Sequence, residues 1–149
     1  MCGIFGIISE TNVNKIHLKE IALHARQRGR DSSGLFYLNG TLSYTIKRAD
    51  YDIKQLLKKN NIDTKIIMGH SRLITNGLSD NQPVVRDGIS LIHNGIVVNE
   101  EEVWSRLSIS RNFKIDSEAI LGVVIENLNK DVELNEISKK VISECRGTM

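Results

Sequence analysis

The sequence predicts an α+β fold in which groups of antiparallel strands are separated by helices. The chain opens with an apolar run, MCGIFGI, that is typical of a short buried strand. An Asn39-Gly40 dipeptide between two apolar segments predicts a hairpin. Strands in such groups, with helices between the groups, favour α+β layers over a doubly wound parallel sheet. The 149 residues, 40% of them hydrophobic, suit one domain over 1–149 with no dividing linker.

The first helix is predicted to follow the polar turn of residues 11–14, which can cap it, and to end at Gly29. Residues 28–34, RGRDSSG, are then predicted to form a polar loop. His17 and His24 lie off the apolar stripe, so we expect both to be solvated. The stripe has the i, i+3, i+4, i+7 spacing of one helix face and consists of Leu18, Ile21, Ala22 and Ala25.

The remaining elements follow from the same patterns. The hairpin is predicted as a strand over 35–38, a two-residue turn and a strand over 41–48. A lysine-rich helix is predicted over 51–60. Two further strands are predicted over 65–69 and 89–93. Three further helices are predicted over 99–107, from Asp116 onward and over 134–145. Trp104 is predicted on the buried side of its helix. The apolar positions of the last two helices are Ile120, Val123, Val124 and Leu128, then Ile137, Val141 and Ile142.

Charge and composition exclude several classes of partner. The net charge is +2 and the basic residues are dispersed, so neither nucleic acid nor a membrane surface is expected as a partner. We find no signal-peptide pattern and no apolar run of membrane-spanning length. The two cysteines, Cys2 and Cys145, have no metal-ligand spacing and fit a reducing compartment better than a disulfide framework. The expected location is therefore the cytoplasm, with no metal and no cofactor.

Cys2 is the first candidate for chemistry. If Met1 is removed, Cys2 carries both a thiol and a free α-amine, and groups of these two types titrate near neutrality. A nucleophile and a base would then share one residue, as in N-terminal nucleophile hydrolases. The alternative is that Cys2 is a small apolar core residue.

Three polar positions lie in GHSRLITNG (69–77), at the end of the strand predicted over 65–69. The guanidinium of Arg72 can bind a substrate α-carboxylate through two parallel hydrogen bonds, which lysine cannot reproduce. Thr75 and Asn76 can add neutral hydrogen bonds to the same carboxylate. An ordinary surface arginine and loop-capping side chains are the alternatives.

Asn94 and Gly95 follow the strand that ends at His93. A side-chain amide and the next backbone N–H are a suitable pair of donors for the oxyanion of a tetrahedral intermediate. Glycine also lets the backbone approach a substrate closely. A plain Asn-Gly turn, like Asn39-Gly40, is the alternative, and spacing alone does not separate the two.

Two aspartates complete the candidate set. Asp116 can accept hydrogen bonds from a substrate ammonium, or it can cap the helix that follows it, and the two roles do not exclude each other. Asp31 can brace the site by pairing with Arg28 or Arg30, or it can be a solvated loop residue.

In their order along the chain, these motifs resemble the glutaminase domain of class II glutamine amidotransferases. The resemblance runs from Cys2 to about Leu121 through MCGIFGI, RGRDSSG, GHSRLITNG, HNGIVVNEEEV and the segment at Asp116. It implies a four-layer αββα N-terminal nucleophile fold. It further implies that Cys2 attacks the glutamine side-chain amide while its α-amine relays the proton. Asn94 and Gly95 would stabilise the oxyanion, Arg72 would hold the α-carboxylate and Asp116 the α-amine.

Within the family, HNGIVVNEEEV and RGRDSSG are most similar to the sugar-phosphate branch, typified by glutamine–fructose-6-phosphate aminotransferase. Leu73 and Asn76 stand where that branch usually has an aromatic residue and a histidine. Arg72-Leu73 and Gln82-Pro83 are shared with asparagine synthetases, although Ile96 replaces their usual acidic residue.

The family's glutaminase domain continues beyond this length, so we expect a C-terminally incomplete domain without a synthase domain. The expected partners are glutamine and a synthase domain or subunit outside these residues, and a homo-oligomer is left open. The alternative function is a catalytically inactive or partner-dependent module that binds glutamine or docks a synthase. A third possible function is hydrolysis of another amide by the same fold. That function would not explain why the sequence has both Arg72 and Asp116. The loop over 73–82 is predicted to close over the substrate as a lid.

Overall fold

The computed structural model describes residues 2–41, 43–73 and 81–148. The chain divides into two compact units, residues 1–83 and 84–149. The first unit contains β1 (Gly3–Ile8), α1 (Lys15–Arg26), β2 (Ser32–Asn39), β3 (Ser43–Ala49), α2 (Ile53–Lys59) and β4 (Ile66–Arg72). The second contains β5 (Val84–Arg86), β6 (Ile89–Leu91), β7 (Ile96–Val97), α3 (Glu100–Arg106), α4 (Ser117–Leu128), α5 (Leu134–Glu144) and β8 (Gly147–Thr148). No helix among the described residues is long and apolar enough to cross a membrane.

The first unit is built on a four-stranded antiparallel sheet in the order β1-β4-β2-β3. Apolar residues of the sheet and of helices α1 and α2 pack into one core, in which Leu35, Ile53 and Ile67 are completely buried. The Asn14 side chain caps α1 by accepting the Ile16 N–H at 2.8 Å, as the polar turn predicts. The antiparallel strands of the first unit and the N-cap of α1 therefore agree with the sequence prediction.

Three boundaries in the first unit differ from the prediction. Helix α1 ends at Arg26, not at Gly29. The predicted polar loop 28–34 is wrong over its second half, because β2 already begins at Ser32 and buries both of its serines. The predicted two-residue hairpin turn is also wrong. Asn39 pairs with Ser43, which leaves three residues between them, and Gly40 has a φ of 70°.

The second unit is organised around α4. This helix buries nearly its whole circumference, including Ala119, Leu121 and Val123, between a cluster shared with α3 and α5 and a cluster shared with β5 and β6. The strands are short: β5 pairs with β6, and β7 pairs with β8, both antiparallel. All strand pairs in the described residues are antiparallel, which confirms the α+β prediction.

The sequence patterns missed more of the second unit. Strands β5, β7 and β8 were not predicted, since two or three residues carry no readable alternation. The predicted stripe on α4 is too narrow, because Leu128 lies at the exposed end while most other sides are buried. On α5, Ile137 is buried as predicted but Ile142 is exposed.

Candidate functional site

Cys2 and Arg72 lie at the same end of two neighbouring strands in the first unit. Strands β1 and β4 are antiparallel, and Gly3 is paired with Ser71. Because Cys2 precedes Gly3 and Arg72 follows Ser71, the register places the two residues beside each other. Both side chains are partly exposed. The sheet therefore brings a thiol and a guanidinium to the same end of two neighbouring strands, the arrangement that a nucleophile and a carboxylate-binding group for one substrate would need.

The segment over 29–31 fixes the end of β4. The Asp31 N–H donates to the Arg72 carbonyl at 3.0 Å, and the Ser71 hydroxyl donates to the Gly29 carbonyl at 2.9 Å. A Cβ on Gly29 would lie 2.3 Å from the Arg72 carbonyl carbon and from the Leu73 nitrogen. Gly29 is thus needed for this close approach and not as the helix terminator that the sequence predicted. Asp31 braces Arg72 through its backbone.

Ser32 is a residue that the sequence patterns did not single out. It is completely buried, it pairs directly with Arg72 across strands β2 and β4, and its hydroxyl has no hydrogen-bond partner among the described residues. Buried hydroxyl groups in native structures are normally hydrogen-bonded, so this one, beside the predicted carboxylate-binding Arg72, is a candidate substrate contact. No sequence signal could reveal this, because a serine in a polar run appears to be a loop residue.

Asn94 and Gly95 lie in the second unit between β6 and β7. A Cβ on Gly95 would lie 1.8 Å from the Thr148 carbonyl oxygen and 2.6 Å from Nε2 of His93. No other residue type fits that space without moving the backbone. Gly95 is therefore held by close packing, which distinguishes it from Gly40 of the hairpin turn, where a Cβ would meet nothing within 4 Å.

Asp116 stands at the N-cap position of α4, yet its side chain makes no capping hydrogen bond. Its Oδ2 accepts the N–H of Val97, the second residue of strand β7, at 2.7 Å. The capping alternative is therefore wrong in detail: the carboxylate faces the strand that follows Asn94-Gly95. The second unit therefore brings three predicted site residues close together: Asn94, Gly95 and Asp116.

Two buried carboxylates hold the loop that leads to Asp116. Glu118 is completely buried and accepts the N–H groups of Asn112 at 3.0 Å and Phe113 at 2.7 Å, with Arg86 at 3.4 Å. Glu126 accepts the Ser108 N–H at 2.7 Å. The Lys130 ammonium, together with this Ser108 bond, holds the pKa of the Glu126 carboxyl below its ordinary value.

The two cysteines differ in their surroundings. Cys2 is partly exposed at a strand end, whereas Cys145 is buried and burial raises the pKa of its thiol. Neither is in a disulfide. Since thiolates are the reactive form of cysteine, Cys145 is poorly suited to nucleophilic chemistry near neutral pH. Among the described residues, no group of three or more His, Cys, Asp or Glu side chains is arranged for a metal ion.

Some predicted site features fall outside the described residues. Thr75 and Asn76 lie there, as does most of the predicted lid over 73–82, and so does Met1, whose removal the chemistry of Cys2 requires.

The fold is the N-terminal nucleophile fold. It matches the glutamine phosphoribosylpyrophosphate amidotransferase of B. subtilis with a TM-score of 0.76, over 98% of this chain and 33% of that one, at 22% identity. The match confirms the predicted fold class.

Sequence comparison names the relatives more narrowly. The chain is 32% identical to the isomerizing glutamine–fructose-6-phosphate aminotransferase of Wigglesworthia glossinidia brevipalpis, over 95% of this chain and 25% of the relative. The same enzymes of Mesorhizobium japonicum and Streptococcus pneumoniae are 27% identical over 99% of the chain. The chain spans about a quarter of the length of these curated relatives. No family model matches. The resemblance to class II glutamine amidotransferases is nevertheless confirmed.

Proposed function

We propose that this chain hydrolyses the side-chain amide of glutamine and supplies the ammonia to a synthase domain or subunit outside these residues. The observation that carries the proposal is the register of β1 and β4, which sets Cys2 beside Arg72. A nucleophile next to a bidentate carboxylate-binding group suits an amino-acid substrate with a free α-carboxylate. The names of the relatives support glutamine as the nitrogen donor and a sugar phosphate as the acceptor.

The reaction has two halves. The Cys2 thiol loses its proton to its own α-amine, and the sulfur forms a bond to the amide carbon. The resulting oxyanion accepts hydrogen bonds from the Asn94 amide and the Gly95 N–H. The amine returns the proton to the leaving nitrogen, the C–N bond breaks, and ammonia departs. Water, deprotonated by the same amine, then attacks the thioester and releases glutamate and the thiol.

Substrate binding divides between the two charged ends of glutamine. Arg72 holds the α-carboxylate and Asp116 the α-ammonium, and these interactions orient the side-chain amide toward the sulfur. Thr75 and Asn76 are proposed as further carboxylate ligands, and the loop over 73–82 as the lid. We also propose that residues 1–149 form one incomplete glutaminase domain in the cytoplasm, where both cysteines stay reduced. Neither a nucleic acid nor a membrane partner is proposed.

The test is glutamate release from glutamine by chain whose loss of Met1 has been verified by intact mass. We expect slow turnover that Cys2→Ala abolishes and that Cys145→Ala, the matched control, retains. Arg72→Lys should raise KM about 10-fold with a smaller change in kcat, since an ammonium cannot form the paired hydrogen bonds. Glutamine binding without turnover in processed wild-type chain would instead support an inactive binding module.

A further inference from the structure

We propose that His93 is a positioning residue that holds the oxyanion donors and the ammonium-binding carboxylate through its two ring nitrogens. The inference rests on the proposed function and goes beyond it, since it assigns His93 no contact with substrate. The ring is buried, with 7% of the residue exposed. It lies next to Asn94-Gly95 in sequence, and it contacts both α4 and β8 within the second unit.

The two hydrogen bonds of the ring define its tautomer. Nε2 lies 3.1 Å from the Thr148 carbonyl oxygen, and Nδ1 lies 3.0 Å from Oγ of Ser117. A carbonyl oxygen can only accept, so Nε2 carries a hydrogen. In the neutral ring, Nδ1 then accepts the hydrogen of the Ser117 hydroxyl, which lies closer to it, at 3.0 Å, than to the other acceptor in reach, Oδ1 of Asp116, at 3.5 Å. Each nitrogen therefore holds a different part of the unit.

The Nε2 bond supports Gly95. The atoms that a Cβ on Gly95 would strike are the two ends of this bond, the Thr148 oxygen and Nε2 of His93. The backbone of Gly95 therefore packs directly against the hydrogen bond between His93 and Thr148. Losing it would release the surface against which the oxyanion donor is packed. Because oxyanion donors act mainly in the transition state, the effect should fall on kcat.

The Nδ1 bond supports Asp116. Ser117, which is 1% exposed, is the first residue of α4 and directly follows Asp116. Fixing the Ser117 hydroxyl fixes the helix start from which the carboxylate reaches the Val97 N–H. Asp116 is proposed to bind the ammonium in both the ground state and the transition state. Releasing it should therefore raise KM with less effect on kcat.

Two amide variants separate the bonds. His93→Asn places an amide oxygen near the position of Nδ1, so it can accept from Ser117 but cannot reach Thr148. His93→Gln places an amide N–H near the position of Nε2, so it can donate to Thr148 but leaves Ser117 without its partner nitrogen. Ser117→Ala should reproduce the second variant. His24→Gln, at an exposed histidine of the first unit, is the control substitution.

We expect His93→Asn to lower kcat at least about 10-fold with KM nearly unchanged, since small displacements of catalytic groups have effects of this size or larger. His93→Gln and Ser117→Ala should raise KM about 10-fold with kcat nearly unchanged. Amide hydrogen exchange supplies a readout that is independent of activity. In His93→Asn, exchange should accelerate at the Ile96 N–H, which donates to the Thr148 hydroxyl. In His93→Gln and Ser117→Ala, exchange should accelerate at the Val97 N–H, which donates to Asp116.

A purely structural role predicts a different result. In that case both His93 variants would lower the free energy of unfolding and change kcat and KM alike, and the inference would be overturned. If processed wild-type chain releases no glutamate, the proposed function fails. The exchange pattern at Ile96 and Val97 still decides whether His93 positions the two groups: uniform acceleration in all three variants would reject it.

Discussion

The two units of the chain position their candidate residues by different means. The first places Cys2 and Arg72 through the register of a four-stranded sheet, with backbone hydrogen bonds from the segment over 29–31. The strands described in the second are two or three residues long, and this unit places Asp116 and Gly95 through buried polar side chains such as Glu118 and His93. Regular structure thus fixes the candidate nucleophile and Arg72, whereas side-chain hydrogen bonds fix the candidate oxyanion and ammonium-binding groups.

The comparison has an energetic consequence. A backbone ladder distributes its stability over many bonds, so that a single side-chain change has a limited effect. A buried carboxylate that binds two N–H groups and a guanidinium concentrates the stability in one side chain, because removing it takes an acceptor from several donors at once. The largest mutational effects are therefore expected in the second unit.

The largest effect is expected for Glu118→Ala. The change leaves the Asn112 and Phe113 N–H groups without their acceptor and takes a buried countercharge from Arg86, which keeps its hydrogen bond to the Ser110 carbonyl, at a cost of about 3 kcal/mol. Glu118→Gln keeps one acceptor oxygen and should lose less. Urea unfolding followed by the fluorescence of Trp104, the single tryptophan of the chain, measures the change within this unit.

Glu136→Ala is the matched control, since that carboxylate is exposed and its ion pair in the described part of the chain is with Lys139 on the same helix. It should change the free energy of unfolding by less than about 0.5 kcal/mol. Equal losses for Glu118→Ala and Glu136→Ala would contradict the idea that the buried carboxylate organises the unit.

A smaller and more specific effect is expected from the two neighbouring serines of β2. Ser33 donates to the Tyr51 carbonyl at 2.6 Å, so Ser33→Ala should cost about 1 kcal/mol of stability with KM unchanged. Ser32→Ala removes a hydroxyl without a partner among the described residues, so stability should stay the same or rise. If that hydroxyl meets substrate beside Arg72, KM should rise several-fold. A KM unchanged in Ser32→Ala would remove Ser32 from the site.

The smallest expected effect is a change in how the free energy of unfolding depends on pH. One carboxylate with a lowered pKa lies in each unit, Asp52 in the first and Glu126 in the second. The Arg26 guanidinium, 2.9 Å away, holds the pKa of Asp52 below its ordinary value, as Lys130 does for Glu126. A lowered folded-state pKa stabilises the protein above the unfolded pKa, and this stabilisation is lost as pH falls through the folded pKa.

Stability should therefore decline below about pH 4.5, where unfolded carboxyl groups begin to bind protons. Asp52→Asn and Glu126→Gln should each flatten that decline, as measured by urea midpoints between pH 7 and pH 3. A decline of the same slope in both variants and in wild type would show that other groups are responsible.

The same difference between the units explains how much the sequence could predict. Apolar alternation and the helical stripe predict that β1, β4 and α1 exist and where β4 and α1 begin, although β4 continues to Arg72 beyond the predicted 65–69 and α1 ends at Arg26. The boundaries failed at Ser32, where buried polar residues form a strand that composition alone assigns to a loop. In the second unit, strands as short as Ile96–Val97 have no period, and their positions depend on the buried side chains of α4.

For the site, motif order predicted the candidate residues, and the strand register supports the pairing of Cys2 with Arg72. Ser32 and Ser117 could not be predicted, because their proposed roles depend on a substrate contact and on a hydrogen bond to His93.

The most direct test of the central claim is covalent capture of the nucleophile. Processed chain would be treated with a glutamine analogue that carries an electrophilic ketone in place of the side-chain amide, and the adduct located by peptide mass mapping. We predict one adduct, on the N-terminal Cys2, that excess glutamine suppresses and that Arg72→Lys slows. An adduct on Cys145, or labelling of Cys2 that glutamine does not suppress, would contradict a glutamine-hydrolysing Cys2.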